Sequence, residues 1–143
     1  MSKARDIMNP GAQCIGENDT LEQAAQLMRD LDVGALPICG EDDRLRGIIT
    51  DRDIVVKCLA ESGCDPRTAT ARQLAEGTLV WVDADADEDE VLQKMEQHKV
   101  RRMPVLENRQ LVGMISEADV ATKLPDQKVA HFVESIYAAP PTS

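Results

Sequence analysis

Gly47-Ile48-Ile49-Thr50-Asp51-Arg52-Asp53 returns later in the chain as Gly113-Met114-Ile115-Ser116-Glu117-Ala118-Asp119. Each copy reads glycine, two apolar residues, a hydroxyl residue, two variable residues and aspartate. The apolar half predicts the end of a strand and the polar half the start of a helix. A hydroxyl at such a junction is a natural N-cap, because it accepts from an otherwise orphaned helical N–H. The aspartate three residues on stands where its charge suits the positive end of the helix. That capping role explains one junction. A second role is open to both: a helix N-terminus flanked by a hydroxyl and a carboxylate can hold a phosphate and a ribose.

Working outward, the two copies belong to a longer duplication. Ala71-Arg72 repeats Ala4-Arg5, and Trp81-Val82 repeats Cys14-Ile15. Val91, Leu92 and Met95 repeat Ala24, Ala25 and Met28, while Val100, Pro104 and Val105 repeat Val33, Pro37 and Ile38. All of these lie 67 positions apart. One residue is lost in a turn, and Leu111, Gly113, Ile115 and Asp119 then repeat Leu45, Gly47, Ile49 and Asp53 at an offset of 66. The period is too long for the common solenoids and predicts two units related by a pseudo-twofold axis.

Within each unit the pattern predicts strand, helix, strand, strand, helix. Ala4 to Met8 reads as a helical turn closed by Asn9-Pro10-Gly11, and Cys14-Ile15 as a short strand. Asp19 and Thr20, with Glu22 and Gln23, mark a helix start whose apolar face is Leu21, Ala24, Ala25, Met28 and Leu31, ended by Gly34. Ala35 to Cys39 and Leu45 to Ile49 read as a hairpin around Gly40–Asp43. Asp51 to Ala60 follows as a helix with Ile54, Val55, Cys58 and Leu59 on one face and Gly63 beyond it. The expected organisation is a first unit over 4–63, a linker over 64–70, a second unit over 71–124, a C-terminal helix over 125–137 with Val129, Phe132, Val133 and Ile136 on one face, and a disordered tail over 138–143. The class is α/β (α+β).

Composition narrows the function. The 143-residue chain is 43% hydrophobic with only 2% aromatic residues, so aliphatic side chains must build its cores. Its net charge of −10 opposes nucleic acid and anionic membrane, and stacking aromatics for single strands are lacking. No apolar run reaches the length of a membrane span and the N-terminus lacks a signal-type core, which predicts a cytoplasmic protein. Cys14, Cys39, Cys58 and Cys64 form no Cys-x-x-Cys pair, and only His98 and His131 could join them, so no metal site is expected. Reduced thiols are the default in that compartment. Cys14 and Cys39 could nevertheless pair, because they lie in the strands on either side of the first helix and those strands should be neighbours. Nucleophile elbows and metal triads are absent from the sequence, and two histidines give little general-base capacity, so an enzyme is not expected.

The repeated unit resembles a cystathionine-β-synthase (CBS) domain, and the whole chain resembles a stand-alone CBS pair. The resemblance rests on ARDIM at the start, VGALPI and VRRMPV in the middle, and GIITDRD and GMISEAD at the end of each unit, and it covers Ala4 to Leu124. It implies two β-α-β-β-α units packed sheet to sheet with a cleft on each side, clefts that often take AMP, ADP, ATP, S-adenosylmethionine or a dinucleotide, and assembly as a homodimer. It implies ribose contacts for Asp53 and Asp119 and phosphate contacts for Thr50 and Ser116. The adenine would lie near Ile15, Gly34 and Ala35, or near Val82, Arg102 and Met103. Arg101-Arg102 stand where the first repeat has Gly34-Ala35. They could neutralise a phosphate, as could Arg52, or pair with the acidic run Asp85–Glu90.

Two functions follow. One is a non-enzymatic sensor that needs no cofactor, binds an adenosine ligand and signals through a protein partner or self-association. The other is a scaffold in which Thr50 and Asp53 only cap a helix. The homodimer is expected also from apolar helix faces, those of Leu21, Met28 and Met95 and of Ile54 and Cys58, together with Phe132 and Ile136, which exceed what one small sheet covers.

Overall fold

The structure is a computed structural model and describes residues 1–75 and 79–138. In chain order the elements are α1 (Ala4–Ile7), β1 (Asn9–Pro10), β2 (Ile15–Gly16), α2 (Leu21–Leu31), β3 (Ala35–Cys39), β4 (Leu45–Thr50) and α3 (Asp51–Asp53), the last continued by a π-helical segment, Ile54–Leu59. Then follow α4 (Ala71–Leu74), β5 (Val82–Asp83), α5 (Glu88–His98), β6 (Arg102–Glu107), β7 (Gln110–Ser116), α6 (Glu117–Lys123) and α7 (Asp126–Tyr137). The chain divides into two compact units, and their limits do not follow the repeats. Residues Ala12–Leu79 form one; Met1–Gly11 join Val80–Ser143 to form the other. Each repeat therefore gives its lead-in segment to the unit built mainly by the other repeat.

In the unit of residues 12–79, β2 runs parallel to β3 and β3 antiparallel to β4, with Ala35 opposite Thr50. A parallel neighbour needs a crossover, and α2 supplies it. β3 is buried along its whole length, as a strand covered on both faces must be. Pro37 lies just outside the two residues that β2 reaches, where its missing N–H costs no pairing on that side. The core joins Ile15, Leu21, Met28, Ile38 and Ile49 to Ala71 and Leu74 of the later segment.

Several expectations are corrected here. Helix α2 ends at Asp32, which takes a left-handed φ of 55° and donates its N–H to the Met28 and Arg29 carbonyls; Gly34 is not the breaker. Asp is among the side chains that tolerate this conformation. On α2, Leu21, Ala24 and Met28 are buried but Ala25 and Leu31 are not. The helix after Thr50 turns π-helical at Ile54, with the Ala60 N–H reaching the Val55 carbonyl. The wider turn buries Ile54 and Cys58 but leaves Val55 54% and Leu59 62% exposed. The 64–70 stretch links the repeats in sequence yet is strapped to the start of α2: Leu21 N–H donates to the Ala69 carbonyl and Glu22 N–H to the Pro66 carbonyl, both at 2.9 Å. Cys14 is paired with Cys39, as its expected place in the strand before α2 allowed, and Cys58 with Cys64, where reduced thiols were expected, with Cα–Cα distances of 5.6 and 5.1 Å. Gly63, at a φ of 88°, turns the chain back so that Cys64 meets Cys58.

In the other unit the sheet order is β1-β7-β6-β5. Its core gathers Val82, Val91, Met95, Met103, Val105 and Ile115 under Phe132 and Ile136 of α7, with Ala4 and Ile7 inserted from the N-terminus. The N-terminal segment is held by backbone bonds from Ala4 to the Ala86 carbonyl and from Arg5 to the Ala84 carbonyl. Arg5 also bridges Asp85 and Glu107 at 2.7 and 2.6 Å. The acidic run opens α5: Asp87 caps it, and Glu88, Asp89 and Glu90 fill its first turn. Glu88 is buried. Lys128 on α7 donates to it at 2.7 Å and the Ser2 N–H at 2.7 Å, which holds its carboxyl below the usual glutamate range. The Lys99 ammonium adds a bond to the Ser135 carbonyl. Of the expected tail, Ala138 lies in a turn and residues 139–143 lie outside the described residues.

One further expectation changes its basis. Leu21, Met28, Ile54, Cys58, Met95, Phe132 and Ile136 are all buried inside their own units. None is left over for a partner copy. The exposed large apolar side chains are others, among them Val55, Val56, Leu59, Val133 and Tyr137.

Candidate functional site

The strand-to-helix junctions form as the sequence predicts, once in each unit. In the unit of residues 12–79, Thr50 ends β4 in an extended conformation and its Oγ1 accepts the Asp53 N–H at 3.1 Å. Asp53 Oδ2 accepts the Thr50 N–H at 2.9 Å, which completes a reciprocal capping box. The other oxygen, Oδ1, lies 3.3 Å from Lys57 Nζ, and the Asp53 side chain is 22% exposed. Ala35 pairs with Thr50 across the sheet and the Gly34 carbonyl accepts the Asp51 N–H at 2.9 Å, so Gly34, Ala35, Thr50 and Asp53 share one end of the sheet. Arg52 is exposed there. Ile15 is buried in the core of the same unit, and Ala35 is also buried.

In the other unit Ser116 and Asp119 repeat the box, with Asp119 Oδ2 accepting the Ser116 N–H at 2.8 Å. The surroundings differ. Asn9, on the N-terminal strand β1, donates to both Asp119 oxygens at 3.0 Å, and Lys123 stands 3.4 Å from Oδ1. Asp119 is buried. Arg102 pairs with Ser116, and the Arg101 carbonyl accepts the Glu117 N–H. Val82 and Met103 have no exposed surface; their side chains belong to the core.

The arginine pair does not meet the acidic run. Asp85 is taken by Arg5, while Glu88 and Asp89 bind Lys128. Arg101 instead lies over the Tyr137 ring, 4.7 Å from its centroid, and Tyr137 donates its hydroxyl to Glu117 at 2.8 Å, which raises the tyrosine pKa. Sequence reasoning missed Lys57, Lys123, Asn9 and Tyr137. The two lysines were legible, because Asp-x-x-x-Lys occurs in both repeats at the spacing that brings charges together on a helix. Asn9 and Tyr137 were not, because each reaches its partner through the tertiary fold.

Comparison with known proteins agrees with this architecture. The CBS domain profile matches residues 4–59 and again 71–126. The chain is 55% identical over 136 residues to Hypoxic response protein 1 of Mycobacterium tuberculosis, spanning 95% of this chain and 94% of that protein. A crystal structure of Hypoxic Response Protein I with two coordinated zinc ions superposes with a TM-score of 0.79 at 57% identity, over 87% of this chain and all of that one. The CBS pair of protein MJ0100, solved with 5′-methylthioadenosine and S-adenosyl-L-methionine, superposes with a TM-score of 0.74 at 26% identity, over 84% of this chain and 93% of that one.

Proposed function

The chain belongs to the CBS-domain family as a tandem pair, and from that premise we propose that it is a regulatory module whose Thr50–Asp53 junction takes the ribose and phosphate of an adenosine-containing ligand. The observation that carries this reading is the contrast between the two aspartates. Asp119 is buried, with both oxygens held by Asn9. Asp53 is part-exposed, and among the described residues its Oδ1 faces only Lys57. A carboxylate has room for about four donors, so Asp53 can cap its helix and still accept from two ribose hydroxyls. Gly34 and Ala35 beside it are small enough to admit a base, and Arg52 is exposed for a phosphate. A similar CBS pair is known with two adenosine compounds. AMP, ATP, S-adenosylmethionine and NAD are the ligands to try.

The reading includes no catalysis, because the junction pairs a carboxylate with a hydroxyl that its own helix already uses. Output passes through a protein partner or through self-association as a homodimer. The exposed apolar residues of the π-helical segment and of α7 suit either. The similar protein crystallised with zinc raises a second ligand class. Among the described residues no three of the His, Cys, Asp and Glu side chains gather at one point. Cys14 and Cys39 would offer two sulphurs after reduction, half of what zinc takes, so the described residues of one chain do not by themselves complete a site.

Melting curves with each ligand test the proposal, on the wild type, Asp53→Ala and Asp119→Ala. At one hundred times the dissociation constant a ligand stabilises by about 2.7 kcal/mol, a rise of roughly 5–15 °C for a chain of this size. Asp53→Ala should lose the rise and Asp119→Ala should keep it. A wild type that shifts with no ligand favours the scaffold; a rise lost only in Asp119→Ala assigns the other junction.

A further inference from the structure

The unit of residues 12–79 carries a depression of about 380 Å³ lined by Glu17, Ile38, Arg46, Arg72 and Ala75. The duplication supplies an internal control for it. Arg72 is the counterpart of Arg5, 67 positions on. Arg5 is neutralised by Asp85 and Glu107. At the same offset those two carboxylates correspond to Asn18 and Gly40, so neither has an equivalent around Arg72. Nor is the missing side chain at Gly40 left as a void: a Cβ there would stand 2.7 Å from Arg46 Nε. Arg46 in turn corresponds to Val112 at the offset of 66. Where one repeat sets two carboxylates around an arginine, the other sets a second arginine beside it.

We propose that this depression binds a phosphate group, free or carried by a small molecule, in the forks of Arg46 and Arg72. Asp42 holds Arg46 at 2.8 Å and fixes its direction. Glu17 on the lining and Asp42 balance the two guanidinium charges, so recognition rests on the forked, planar donors of arginine more than on net charge. Ile38 and Ala75 offer an apolar wall to whatever the phosphate is attached to. The site stands apart from the Thr50–Asp53 junction: Arg46 lies four residues earlier on β4, about 13 Å along the strand.

The test is a titration of the ¹⁵N-labelled full chain at low ionic strength with inorganic phosphate and, separately, phenyl phosphate. The Arg46 and Arg72 Nε–H signals and the Gly40 and Ala75 amides should shift and saturate. Tighter binding of phenyl phosphate assigns the site to an organic phosphate, and equal binding to the free ion. Arg72→Lys keeps the charge but loses the fork. Asn18→Asp leaves both arginines in place and restores the carboxylate found at Asp85. Each should weaken binding about tenfold or more, as expected for losing or blocking a charge-assisted hydrogen bond. Asp53→Ala should bind phosphate as the wild type does, whatever becomes of the adenosine ligand. The amide spectrum of each variant reports its fold, and Asn18→Asp, at an exposed position, stands alone if Arg72→Lys misfolds. Shifts that fail to saturate, that survive Asn18→Asp unchanged, or that appear at Thr50–Asp53 and not at Arg46 and Arg72 would overturn the proposal.

Discussion

Gly47 and Gly113 occupy the same place in the two repeats, yet alanine should be tolerated at one and not at the other. At Gly113 a Cβ would stand 2.5 Å from Met8 Sδ, 2.9 Å from Met8 Cγ and 2.7 Å from the Asn9 carbonyl oxygen. The methionine can swing away, being unbranched and adaptable. The carbonyl cannot move alone, because Asn9 and Pro10 are paired with Met114 and Gly113 in β1 and β7. At Gly47 the nearest atom is Ala75 Cβ at 3.1 Å, which requires a shift of only a few tenths of an ångström. Overpacking of the first kind costs about 1–3 kcal/mol, and removing a glycine returns about 0.5–1 kcal/mol through the unfolded chain. The net for Gly113→Ala is a loss of about 1–2 kcal/mol, or roughly 3–8 °C in Tm at this size. Gly47→Ala should come out near zero. Thermal melts followed by far-UV circular dichroism measure both, and amide exchange should show the loss concentrated at Asn9 and Met114. A Gly113→Ala protein as stable as the wild type, or a larger loss in Gly47→Ala, would refute the claim that β1 is wedged against Gly113.

Acid should loosen the contact of α7 with α5. Lys128 and the Ser2 N–H hold the Glu88 carboxyl below its ordinary value, so its contribution is full above the unfolded pKa and is lost as pH falls through the depressed folded value. Exchange of the α7 amides against pH should show this, and Glu88→Gln should remove the acid dependence; a limb unchanged in that variant would place the effect elsewhere. Alkylation before and after reductant should find all four cysteines protected until reduction, if Cys58–Cys64 forms as well as Cys14–Cys39. Four labelled thiols without reductant would contradict the pairing and restore the reduced state expected of a cytoplasmic protein. Sedimentation at tens of micromolar should give a dimer; a species of 15.7 kDa would remove the homodimer.

The sequence by itself determined the repeat, three of the capping boxes and the order of strands and helices in each copy. Each rests on residues within a few positions of one another: Thr50 with Asp53, Ser116 with Asp119, Thr20 with Gln23. Short-range hydrogen bonds and apolar periodicity need no knowledge of the rest of the chain. The Cys14–Cys39 pairing was also within reach, because a strand-helix-strand crossover makes its two strands neighbours. Only the tertiary structure decided which segment completes which unit. The repeat boundary suggested that residues 4–11 belong with the first copy, but Ile7 is buried in the core of the second and Asn9 holds its aspartate. Nothing local marks that exchange, since ARDIM and its counterpart read alike whichever core they enter. The same holds for the two junctions: their motifs are nearly identical, and what makes Asp119 buried and Asp53 accessible is the chain that arrives from elsewhere. Burial is a property of what packs on a residue, and the partners that pack are set by long-range topology that the neighbouring letters do not encode.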